Sequence, residues 1–186
     1  MPQPNSTFVE EARDAALGAW ALVLGRQDAA RHFDFSPRGV IGSFIALVLA
    51  VAVSVFGPQL FGVPTPSGMA GGMALLSVLL FALQIGAAYI VLQTMGRLDG
   101  ILPYLVADNW VNFYVSLVGA LGIVLFGGSD FILLAVGLVS IVVEVNIARR
   151  IVTLAPMQIV IFIAAQIAAQ FVGLMVLGGL IMQAAA

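Results

Sequence analysis

The chain has 186 residues, of which 62% are hydrophobic and 9% charged, with a formal net charge of −2. A soluble domain carries roughly a quarter charged residues, so this chain has too little polar surface to coat a globule and must be solvated by lipid. The near-zero charge, with no basic patch among aromatics, excludes nucleic acid as a partner.

There are no cysteines and a single histidine, His32. Disulfides, thiolate metal sites, a cysteine nucleophile and a multi-histidine metal site are excluded, and neither metal nor cofactor is expected. The seven basic residues are all arginine. No G-x-S-x-G, H-E-x-x-H or phosphate-cradling glycine loop occurs. The serines at 43, 54, 77, 116 and 140 lie in apolar runs without a histidine, so catalysis is not expected.

From the N-terminus, Thr7-Phe8-Val9-Glu10 has the form of a capping box, predicting a helix from about residue 8 to 24 with Gly25 as its stop. Phe8, Ala12, Ala15, Ala16, Ala19 and Val23 fall on one side of it. Its apolar half, 15–25, is too short to span a bilayer, so an amphipathic interfacial helix, or one tucked under the bundle, is expected. Glu10, Glu11 and Asp14 stand where a leader peptide wants positive charge, so none is expected.

A polar connector with Arg26, Asp28, Arg31, His32 and Asp34 follows, His32 reading as a headgroup-level surface residue. Ser36-Pro37 then reads as an N-cap and first helical residue. No charge occurs from Gly39 to Gly96. Gly57-Pro58 and the proline-rich 63–68 break that run into spans at about 38–56 and 68–95. Gly96–Gly100 is a charged turn, and a third span covers about 101–126. Gly127–Asp130 is a tight turn with Asp130 solvated, a fourth span covers about 131–148, and Pro156 opens a fifth at about 156–183. The expected fold is an all-α membrane protein, a five-helix transmembrane bundle over 38–186 preceded by a cytoplasmic or interfacial segment at 1–37.

In a five-span threading Arg13, Arg26, Arg31, Arg38, Arg97, Arg149 and Arg150 all fall on one side. The connections 57–67 and 127–130 and the tail 184–186 on the other side hold none. The excess of arginine marks the cytoplasmic side, giving an N-in, C-out protein of the bacterial inner membrane.

Ionisable residues within such spans default to a functional reading with a partner to be named. Asp108 lies about 10 Å into the third span and Glu144 about 7–8 Å from Arg149 in the fourth. Asp108 and Asn112 are spaced i,i+4, with Tyr104 one turn earlier, and Asn109 adjoins them. Counting outward from a midpoint at 128.5 in an antiparallel hairpin places Asp108 level with Arg149 and Asn112 near Glu144. An Asp108–Arg149 ion pair and an Asn112–Glu144 hydrogen bond are therefore expected. Gln84, Gln93, Gln166 and Gln170 are candidate interhelical amides. Gly68-x-x-x-Gly72 and the pairs Ala164/Ala168 and Ala165/Ala169 permit close helix approach.

An arginine-bearing amphipathic lead, five spans, Asn109-Trp110 in the third and Ile147-Ala148-Arg149 closing the fourth resemble alphaproteobacterial Yip1-like integral membrane proteins. The resemblance covers roughly residues 8–183. Eukaryotic relatives act in vesicle trafficking, but their D-L-Y-G-P signature is absent here, and no trafficking role or functional residue is implied for this chain. The expectation is a non-enzymatic scaffold or accessory subunit, whose partners are the bilayer and other membrane subunits or itself. The alternative is a small transporter or channel subunit using Asp108 and Glu144 as a cation or proton site. The two divide on whether Asp108, Glu144 and Gln166 meet at a polar cavity or lie dry and paired with arginine.

Overall fold

The computed structural model describes residues 7–60, 62, 69–126 and 130–180. Among them the chain forms six α-helices: α1 (Phe8–Val23), α2 (Pro37–Leu60), α3 (Met69–Thr94), α4 (Ile101–Phe126), α5 (Asp130–Asn146) and α6 (Pro156–Gly173). Five segments, beginning with α2, are long and apolar enough to cross a membrane. The expected connection 57–67, the Gly127–Ser129 turn, Gly68 and the tail beyond Leu180 lie largely or wholly outside the described residues.

Local chemistry sets the helix ends. Thr7 Oγ1 accepts from the Glu10 backbone N–H at 3.3 Å, and the Glu10 carboxylate accepts from the Thr7 N–H at 2.7 Å. At the other end of α1, Gly25 N–H bonds Leu22 O and Arg26 N–H bonds Ala21 O. Gly25 supplies the positive φ of 65° that this reversal needs. Ser36 Oγ caps α2 by accepting from Gly39 N–H at 3.3 Å. Gly39 is required there, since a Cβ would come within 1.9 Å of the Asp34 carbonyl oxygen.

Two boundaries correct the sequence reading. The helix α2 continues past Gly57 and Pro58 to Leu60, because proline deletes a single ladder bond and the last turn of a membrane helix tolerates that loss. The fourth span does not stop at 148. After Asn146 it widens into a π-helical turn, Ile147–Ile151, in which Val152 N–H reaches back to Ile147 O at 3.0 Å. Thr153 follows with φ of 59°, a strained conformation for a β-branched residue. A second π-helical turn, Leu174–Gly178, extends α6.

The helix α4 is the centre of the bundle, packing most extensively on α2. Small residues on α2, including Ser43, Ala46 and Ala50, are buried along this contact, which lets the helices approach closely. Asn109 Nδ2 donates to Ser43 Oγ at 3.1 Å, and Ser54 Oγ to Ser116 Oγ at 3.0 Å. The helices α3 and α6 pair on the other flank, where Gly173 leaves no room for a Cβ beside Leu83.

The helix α1 packs on α4, α5 and α2. Its buried residues are Glu11, Ala15, Gly18, Ala21 and Leu22. Of the expected side, Ala15 is buried, Ala12, Ala19 and Val23 pack against the core, and Phe8, 37% exposed, lays its ring against Trp110 with centroids 5.5 Å apart. Polar contacts add to this packing. Tyr114 Oη donates to Ala12 O, Asn146 Nδ2 donates to Leu22 O at 2.8 Å, and Trp110 bonds the Glu11 carboxylate.

The arginine-rich segments share one end of the bundle. Arg97, from the α3–α4 turn, donates to Val152 O at 2.6 Å, Thr153 O at 3.1 Å and Thr153 Oγ1 at 2.9 Å. Asp28 pairs with Arg26 at 2.8 Å and Arg31 at 2.5 Å. These two guanidinium groups hold the Asp28 carboxyl down to about 2.

Candidate functional site

Successive residues on a helix point about 100° apart, so the polar run on α4 divides between two interfaces. Asn109, Trp110 and Tyr114 face α1 and α2. Tyr104, Asp108 and Asn112 recur every fourth residue and face α3, α5 and α6. Asp108 is 3% exposed and Tyr104 fully buried.

On this second face lies a cavity of about 460 Å³ bounded by α3, α4, α5 and α6. Gln84, Asp108, Asn112, Ser140, Glu144, Gln166 and Gln170 are its polar lining. Its walls are aliphatic and aromatic, among them Leu80, Val111, Ile163 and Phe171. The lining residues that stay exposed come from α5 and α6: Ile141 at 52%, Ile167 at 57%, Phe171 at 63% and Leu174 at 53%. Direct packing between α5 and α6 is sparse. The cavity therefore opens sideways between these two helices, toward the lipid-facing surface.

Hydrogen bonds link the polar groups in a chain. Gln170 Nε2 donates to Gln84 Oε1 at 2.8 Å. Gln84 Nε2 donates to Tyr104 Oη at 2.9 Å and, more weakly, to Asp108 Oδ2 at 3.5 Å. Tyr104 Oη donates to Gln166 Oε1 at 2.5 Å. The Tyr104 ring is held edge-on by Phe162, with centroids 5.1 Å apart. Asn112 bonds Asp108 one turn along the same helix.

Glu144 completes the site. Its carboxyl lies within hydrogen-bonding reach of Asp108, Tyr104 and Gln166. Its Oε1 is nevertheless buried with no hydrogen-bond partner. The Asp108–Glu144 contact thus brings two acids together at the cavity. No guanidinium contributes to it.

Two expected contacts are thus corrected. Asp108 does not pair with Arg149, which is exposed and forms no ion pair among the described residues. Asn112 bonds Asp108 rather than Glu144. Midway between the facing residues 108 and 144 is Phe126, not the assumed midpoint of 128.5. The resulting offset is about five residues, or roughly 7.5 Å along α5.

Of the ten residues singled out in the sequence, Tyr104, Asp108, Asn112, Glu144, Gln84, Gln166 and Gln170 converge. Asn109, Arg149 and Gln93 do not: Asn109 turns to Ser43, and the other two are exposed. Ser140 also lines the cavity, with its hydroxyl donating to Val136 O at 2.9 Å. Glu11 is a buried acid that the sequence reading overlooked. Its place in the stripe with Ala15, Gly18 and Leu22 was the available signal. Burial pushes its carboxyl above the ordinary range, against the lowering effect of the Trp110 bond. Among the described residues no group of three or more His, Cys, Asp or Glu is placed to hold a metal ion.

No family model, curated protein or solved structure matches the chain.

Proposed function

We propose that the protein is a non-enzymatic, proton-carrying transport subunit of the bacterial inner membrane, with Asp108 and Glu144 as the proton site. The observation that carries this reading is the contact between two membrane-buried carboxyl groups, at a polar-lined cavity, without a basic partner. Acidic residues that merely anchor a helix at the headgroup level snorkel to water or pair with arginine. These two face each other at a cavity lined by the interhelical amides Gln84, Gln166 and Gln170 instead. The single-sided arginines favour a cytoplasmic N-terminus and a periplasmic C-terminus.

The scaffold reading draws support from the other face of α4, where Asn109, Trp110 and Tyr114 tie α1 and α2 together. It leaves the carboxyl pair unexplained. The Yip1-like resemblance bears on that scaffold face, since Asn109-Trp110 lies there, and adds nothing to the proton site.

Purified protein in liposomes, driven by a potassium diffusion potential and followed with an internal pH dye, tests the proposal. Proton uptake above that of empty liposomes is expected, with loss in Asp108→Asn and in Glu144→Gln. Liposomes as tight as empty ones, or uptake unchanged in both variants, would refute it.

A further inference from the structure

The shape of the cavity limits what else can enter it. Its polar groups come from all four helices: Gln84 on α3, Asp108 and Asn112 on α4, Ser140 and Glu144 on α5, and Gln166 and Gln170 on α6. Its mouth is apolar, and opens between α5 and α6, where Ile141, Ile167, Phe171 and Leu174 remain exposed. In a membrane this mouth meets acyl chains rather than water, so a ligand arriving there must first dissolve in the bilayer. Once inside, it meets two carboxyl groups, of which one oxygen, Glu144 Oε1, is buried and unpartnered. It also meets the amide oxygens of Gln84 and Gln166, which can accept from an N–H. A volume of about 460 Å³ suits a small organic molecule rather than a bare ion.

Resting on the proton-site reading above, we propose that this laterally open cavity binds lipophilic amines as ammonium ions, in exchange for the proton shared by Asp108 and Glu144. The charges balance. With one proton the two carboxyls carry a net charge of −1. An ammonium ion that enters as that proton leaves restores the same −1, so the exchange is one cation for one proton and no buried charge is left uncompensated. The ammonium group occupies the place of the proton between the acids, and its N–H groups find Glu144 Oε1. The apolar body lies along Ile141, Ile163, Ile167 and Phe171. An anion would face two carboxyls, and a neutral apolar molecule would leave the acids and amides unmatched.

The test uses the full chain in phosphatidylcholine nanodiscs, with empty discs as background. The probe is dansylcadaverine, a lipophilic primary amine whose emission reports its surroundings; neutral dansylamide serves as the comparison. Saturable binding of the amine is expected, with one proton released per amine bound in weakly buffered solution. Asp108→Asn and Glu144→Gln, both nearly isosteric, should each weaken binding by about 30-fold or more. Ile141→Trp, which narrows the mouth without touching the acids, should slow association. Absence of saturable binding in the wild type overturns the inference. So does binding without proton release, equal binding of dansylamide, or a mouth blocked by a second copy in discs shown to hold two chains. A wild type that takes up protons in liposomes but fails here loses only the amine assignment. One that fails the liposome test loses the proton site itself.

Discussion

Tyr104→Phe removes a single oxygen from the middle of the cavity network and leaves the ring in place against Phe162. The lost hydroxyl donates to Gln166 Oε1 at 2.5 Å and accepts from Gln84 Nε2 at 2.9 Å. Gln166 keeps its bond to Phe162 O, at 3.4 Å, and its approach to Glu144, and Gln84 Nε2 keeps the 3.5 Å contact to Asp108. Hydrogen bonds between membrane helices contribute about 0.6 kcal/mol on average and up to about 1.7. A buried group left without a partner costs about 1–3 kcal/mol. With two bonds lost and both amides partly re-partnered, the loss should be about 1–3 kcal/mol. Titrating purified protein in mixed micelles with SDS, followed by tryptophan fluorescence, measures it. Gln166→Leu and the double variant close a thermodynamic cycle, for which a coupling of about 0.6–1.7 kcal/mol is expected. Ser116→Ala, which breaks the bond to Ser54 at the α2–α4 contact, should cost less. A Tyr104→Phe loss within about 0.3 kcal/mol of zero, or additivity within that error, would show that the network is not a cooperative tie between α3, α4 and α6.

Glu11 predicts an unusual pH dependence. Burial raises its carboxyl above the ordinary value of 4.5 in the docked helix, so docking favours the protonated form. The attachment of α1 should be firmest below pH 4.5 and weaken as pH rises through the elevated value. Asp34 and Arg38 act on the same carboxyl in opposite directions, and Trp110 lowers it. Glu11→Gln keeps the shape and should flatten the profile of amide hydrogen exchange over residues 8–23; an unchanged profile would count against Glu11 as its source. Arg97→Ala removes three hydrogen bonds to Val152 and Thr153 and should cost about 1.5–3 kcal/mol in the same SDS titration. Thr153→Gly in that background should recover part of the loss, since glycine accepts the positive φ without strain; no recovery would mean that Arg97 does not restrain Thr153.

Much of this architecture was legible because membrane helices must satisfy their backbone internally and announce their length in apolar residues. The helix expected at about 101–126 corresponds to α4, and the caps at Thr7 and Ser36 follow from side chains acting within a single turn. The convergence of Tyr104, Asp108 and Asn112 came from helical spacing alone. What failed depended on the relation between helices. Counting from the 127–130 turn assumed a symmetric hairpin, whereas α4 leans on α2 and α1, and α5 is displaced by more than a turn. Arg149 then falls in the π-helical turn, where the wider winding redirects side chains. Asn109 and Asp108 are adjacent in sequence, and only the packing of α2 shows that they serve different interfaces. The apolar side of α1 follows its helical spacing, but the buried Glu11 and the donors that reach α1 from α4 and α5 depend on how the helices pack.

The Arg97 clamp has a mechanical consequence. It fastens the α3–α4 turn to the connector between α5 and α6, at the same end as the other arginines. The mouth residues Ile167, Phe171 and Leu174 lie progressively farther from that fastening. The two helices flanking the mouth are thus joined like the legs of a compass. A small rotation at the clamp becomes a larger displacement toward the opposite leaflet. Asp108 stands on α4, outside the two legs, whereas Glu144 rides on α5, so spreading the legs would also change the spacing of the two acids.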